Sequence, residues 1–135
     1  LAVVDLDTVM PGLSVNDFGD SIRFGATHAA EDEPDLSKVN FDLGLFECYT
    51  RGFLAECGSL MTENEKKMLP MGAMMMTFEC GMRFLADYLN GDTYFKIHRQ
   101  GQNLDRCRTQ FKLVSDMEKA KAEMDRIVEK YCQGG

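Results

Sequence analysis

Leu1-Ala2-Val3-Val4-Asp5-Leu6-Asp7-Thr8-Val9-Met10-Pro11-Gly12, with Asp17-Phe18-Gly19-Asp20 close behind it, is the stretch on which the reading of this chain turns. Its first four residues are β-prone and deliver two carboxylates, Asp5 and Asp7. In an extended strand, residues two apart point to the same side, so both acids can meet one cation or one phosphate. Held side by side they repel unless a proton, a cation or hydrogen bonds relieve them. A hard divalent ion such as Mg²⁺ accepts one or two such carboxylates together with phosphate oxygens. The same residues can also do no more than cap the strand and order the turn through Pro11-Gly12.

The rest of the chain bounds the possibilities. One domain, residues 1–135, is the expectation for 135 residues, enough to bury a real core. A hydrophobic content of 44 % argues against disorder, and a net charge of −7 argues against nucleic acid as a partner. No run of eighteen apolar residues occurs and Leu1 opens no signal peptide, so a cytoplasmic chain without a membrane partner is expected. Five widely spaced cysteines read as reduced thiols, and His28 and His98 lack the spacing of zinc ligands.

Outward from the opening strand, Asp17 reads as a helix N-cap, with Ile22 and Phe24 turned inward and Gly25 as the stop. Residues 28–38 are acidic, contain Pro34 and read as a solvated loop rather than a metal site. Leu45, Phe46, Tyr49, Phe53 and Leu54 recur at helical spacing over about residues 41–56, and Gly58 follows as the stop. Thr62-Glu63-Asn64-Glu65 is a capping box. Pro70 then predicts a kink or restart, followed by a helix over residues 70–89 whose methionines and phenylalanines read as adaptable core. Asn90-Gly91 ends it, residues 93–97 are β-prone, and residues 103–131 predict one amphipathic helix of roughly 40 Å. The fold class is therefore mainly α: one short N-terminal strand and about four to six helices.

Two phosphate-handling families use a D-x-D after an apolar strand. Haloacid-dehalogenase-like phosphatases do, but they require strands and helices in alternation, and a single strand followed by helices does not supply that. The other is the aminoglycoside phosphotransferase and choline kinase superfamily. Here the opening stretch, together with Glu79-Cys80-Gly81-Met82-Arg83-Phe84-Leu85-Ala86-Asp87-Tyr88-Leu89, Gly91-Asp92-Thr93-Tyr94-Phe95 and Asn103-Leu104-Asp105-Arg106-Cys107-Arg108-Thr109-Gln110, resembles N-acetylhexosamine 1-kinases over nearly the whole chain.

The resemblance implies the C-terminal part of a protein-kinase-like C-lobe, with the N-lobe and catalytic loop upstream. It implies an ATP-dependent kinase acting on the anomeric hydroxyl of N-acetylglucosamine or N-acetylgalactosamine. Asp5 would hold the Mg²⁺ that bridges ATP phosphates, with Asp7 beside it; Asp17-Phe18-Gly19 spells a metal motif of protein kinases, but by position the metal ligand is Asp5. Asp17 would tie down the catalytic loop, and Arg83 and Tyr94 would hold the amino-sugar substrate. No Gly-rich phosphate loop and no H-x-D catalytic loop occur in these residues, so the chain alone is expected to be inactive. Two alternatives stand beside this reading: a kinase of another small alcohol, such as choline or homoserine, and a helical interaction module that forms homodimers through exposed apolar faces.

Overall fold

A computed structural model of the chain describes residues 9–132. The strand expected at residues 1–7, with Asp5 and Asp7, lies outside the described residues. Among the described residues the chain is mainly helical, with α1 at Ser14–Gly25, α2 at Leu43–Cys57, α3 at Glu63–Leu89, α4 at Gln102–Lys119 and α5 at Lys121–Cys132. No described helix is long and apolar enough to cross a membrane.

The helix ends follow local chemistry. At α3 the full capping box forms: Thr62 Oγ1 accepts from the Glu65 N–H, and the Glu65 carboxylate accepts from the Thr62 N–H at 2.7 Å. At α2 the cap is Asp42, whose carboxylate accepts from the Gly44 and Leu45 N–H groups. Gly58 closes α2, and Asn90 with Gly91 closes α3, Gly91 in the left-handed region at φ 87°.

Four expectations are corrected. Asp17 is not the cap of α1: the helix begins earlier, after Leu13, and Asp17 lies exposed in the first turn, where its charge still suits the helix dipole. Phe24 points outward while Phe18 and Ile22 fill the core. The helix does not restart at Pro70: α3 runs unbroken through it for 27 residues. A proline inside a helix costs about 3 kcal/mol, but Leu69, Pro70, Gly72 and Ala73 are all buried here, so tertiary packing overrides the local break.

The single terminal helix, in turn, is two. The chain turns at Ala120, and the N–H of Met124 bonds back to the Ala120 carbonyl. The spacing carries a trace of this, because Phe111, Val114, Met117 and Ala120 fall at three consecutive three-residue steps. Such a series drifts around a helix of 3.6 residues per turn. The turn brings Met124 and Val128 back into the same core as Met117 and Phe46, where a straight rod would carry them away.

α3 is the central element, packed on α1, α4 and α5. Its approach to α1 is set by two glycines. A Cβ at Gly72 would stand 2.5 Å from the Val15 carbonyl oxygen, and one at Gly19 would clash with the Gly72 carbonyl. On the α4 side, a Cβ at Gly81 would lie 2.8 Å from the Phe111 ring. The methionine-rich run of α3 is only partly core: Met74 packs inward, but Met71, Met75, Phe78 and Met82 are 44–46 % exposed.

Two substitutions separate packing from propensity. Glycine to alanine in a helix interior ordinarily stabilises by about 1 kcal/mol. Gly52→Ala, in α2 with nothing near its Cβ position, is expected to raise the urea midpoint accordingly. Gly72→Ala is expected to lower it, by about 1–3 kcal/mol of overpacking, because backbone rather than a flexible side chain is in the way.

Candidate functional site

The last turns of α3, the loop that follows and the first turns of α4 build one polar centre. Asp87 is buried on α3, whose other buried residues, Cys80 and Phe84 among them, are mostly apolar. Its Oδ1 accepts from the N–H groups of Thr93 at 3.0 Å and Tyr94 at 2.8 Å. Its Oδ2 accepts from the N–H of Phe95 and from Asn103 Nδ2, each at 2.9 Å. Burial pushes the Asp87 carboxyl upward, but the Phe95, Tyr94 and Thr93 N–H groups outweigh it and hold the pKa below the usual aspartate value.

These bonds replace a sheet. Residues 93–97 are not a strand: the backbone donors of Thr93, Tyr94 and Phe95 are taken by a side chain instead of a neighbouring strand. Asp92 sits in the left-handed region at φ 57°, which aspartate tolerates, and its carboxylate also accepts from Asn103 Nδ2 at 2.9 Å. Asn103 Oδ1 accepts from Arg106 Nη1 at 3.0 Å, and the Arg106 guanidinium lies 5.4 Å over the Phe84 ring.

On this platform Arg83 and Tyr94 meet. The Arg83 guanidinium is 5.8 Å from the Tyr94 ring centroid and 5.4 Å from that of Phe95. Phe95 in turn packs on Phe84 at 4.7 Å. With Ala86, Asp87, Asn90 and Thr93 these side chains line an open cleft of about 430 Å³. Arg83 reaches Glu79 at 3.7 Å, and both side chains remain nearly half exposed, so the ion pair is a loose surface one. Tyr94 is 74 % exposed. The cleft thus presents a cation, an aromatic face and a phenol, which suits holding a polar ring with oxygen acceptors. It offers no base: Asp87 is fully engaged as an acceptor.

The remaining site residues fall elsewhere. Asp17 is on α1 and does not line this cleft, and Asp5 and Asp7 lie outside the described residues. Among the described residues no three His, Cys, Asp or Glu side chains group to hold a metal. The acidic run is no free solvated loop either. Glu31 accepts from Arg23 at 2.7 Å and faces Arg106 at 3.6 Å, while Asp32 accepts from Gln102 Nε2 at 2.9 Å. This loop clasps α1 to α4. Asp87 and Asn103 are not among the residues the sequence reading assigns to the site, although Asp87 stands out there as a charge inside an apolar run. No family model matches the chain.

Because its pKa is depressed on folding, Asp87 contributes stability that is present above the unfolded carboxyl value, 3.8, and lost as pH falls through the folded one. The amide proton shifts of Thr93, Tyr94 and Phe95 are expected to stay constant from neutral pH to that value and move together below it. Asp87→Asn should abolish this titration and shift all three amides at neutral pH, with α1 and α2 amides unmoved.

Proposed function

We propose that this chain is the helical, sugar-holding part of an ATP-dependent kinase for the anomeric hydroxyl of N-acetylhexosamines, of the aminoglycoside phosphotransferase and choline kinase superfamily. One observation carries the reading: Arg83 and Tyr94, marked by the sequence resemblance, come together on one cleft with the guanidinium only loosely paired. The Arg83 donors suit hydroxyl and acetamide oxygens, and the Tyr94 ring suits the face of a pyranose. The chain has no tryptophan, so none of its own residues brings an indole to the pocket wall.

Asp5 and Asp7 are the residues proposed to hold Mg²⁺, a set of hard oxygen donors that fits this ion. When bound with ATP, the ion neutralises charge developing on the transferred phosphoryl group. The part of Arg83 and Tyr94 is to bind and orient the sugar; the group that orients its hydroxyl belongs to a catalytic loop that these residues do not contain.

The test uses a protein in which these residues are joined to such a loop. Arg83→Ala is expected to raise the KM for N-acetylglucosamine about tenfold or more, as loss of a charge-assisted contact of about 1.5–3 kcal/mol implies, and Tyr94→Ala to raise it about two- to tenfold, as loss of a neutral contact of about 0.5–1.5 kcal/mol implies, with the KM for ATP nearly unchanged in both. A change confined to ATP or to stability would remove both residues from the sugar site. Asp5→Asn should depress kcat strongly and leave sugar binding nearly intact, since metal charge acts mainly at the transition state. The 135-residue chain alone, with Mg-ATP and either N-acetylhexosamine, is expected to form no sugar 1-phosphate.

A further inference from the structure

α3 carries an apolar stripe that, among the described residues, is left about half exposed. Met68, Met71, Met75, Phe78 and Met82 follow one another at steps of three and four residues, and each is between 44 % and 50 % exposed. The same alternation continues to Leu85 and Leu89. A 3.5-residue period sustained this far is the pattern of a helix that faces another helix along its length. Neighbouring positions fix where that second helix lies. Gly72 on one flank is closed against α1 and Gly81 on the other against α4, so the stripe runs along the open side between them. Beside it, Phe111 stacks on Phe78 at 5.5 Å, and together with Val114 it walls a groove of about 690 Å³.

We propose that this stripe is a dimer interface, occupied by α3 of a second copy of the chain in antiparallel contact. Three observations favour a second copy. The stripe positions are uncharged and the groove beside them carries one acid and one base, Glu118 and Lys121, so the −7 net charge of each copy is not concentrated where the copies meet. Its repeat is self-complementary: a two-fold axis between Met75 and Phe78 sets each against the other's counterpart and pairs Met71 with Met82. The area also suffices. At roughly 100 Å² for each half-exposed side chain, the stripe and the α4 wall offer on the order of 600 Å² per copy, which places the pair at the lower edge of specific interfaces. Antiparallel packing further sets the helix dipoles head to tail. The inference rests on the α3 surface alone and is independent of the sugar-kinase reading.

Sedimentation velocity of the 135-residue chain over a concentration series tests it. The expected result is a reversible monomer–dimer equilibrium in the micromolar range. Raising salt should tighten it, because screening relieves repulsion between two acidic copies. Met75→Lys should weaken it roughly 30-fold, as loss of a central interface side chain does, with the far-ultraviolet circular dichroism unchanged. Met71→Lys gives the same reading should Met75→Lys unfold. Leu60→Lys, at an exposed apolar residue off the stripe, should leave the dimer intact. A monomer at every concentration overturns the proposal. So does a dimer indifferent to the lysines on the stripe, or one that loosens as salt rises.

Discussion

The whole arrangement depends on how closely α1 and α3 approach. Two glycines, Gly19 and Gly72, let backbone meet backbone where any Cβ would intrude. Interiors pack at crystalline density, so a few tenths of an ångström there are felt throughout. With α1 seated, Phe18 reaches the rings of Phe46 and Phe53 and ties α2 into the same core. α3 is then gripped on its other flank by α4 across Gly81, and it has one side left over. The exposure of the methionine stripe follows from this geometry: a helix held on two flanks presents what lies between them.

At the far end of α3 a polar constraint takes over from the apolar one. A buried carboxylate is tolerated only when its lone pairs are met, and Asp87 meets them with three successive backbone N–H groups and the Asn103 amide. The loop after α3 therefore has a defined shape without any sheet. Asn103 also joins that loop to α4, because its amide donates to both Asp87 and Asp92. The cleft holding Arg83 and Tyr94 is the outer surface of this centre, so the order of that exposed face derives from the buried Asp87 beneath it.

A second polar seam links the cleft to the rest of the fold. Glu31 stands between Arg23 of α1 and Arg106 of α4, and Arg106 extends to Asn103 and lies over Phe84. What composition marks as an acidic loop thus becomes, once folded, the counter-charge to two arginines on different helices. Charged groups sharing one low-dielectric seam are coupled more strongly than surface pairs, which fits the buried backs of α1 and α4 at this point.

How much of this was legible in the sequence depended on the range of the interaction. The helical class, the Thr62–Glu65 capping box, the stops at Gly58 and Asn90-Gly91, and most of the inward face of α2 are written in residues close together in the chain. Side-chain caps, glycine conformation and periodicity act over a few residues, and so they can be read there. Arg83 and Tyr94 could be marked by resemblance, but their meeting over Phe95 is a matter of where the loop goes. The tertiary structure decided the rest: α3 passing through Pro70, the turn at Ala120 that the spacing only hints at, the outward methionines, and the capture of Thr93, Tyr94 and Phe95 by Asp87. At Pro70 packing from residues distant in sequence overrides a local preference, whereas the backbone of Thr93, Tyr94 and Phe95 is taken by a carboxylate only six to eight residues away, whose side-chain bonds no periodicity reveals.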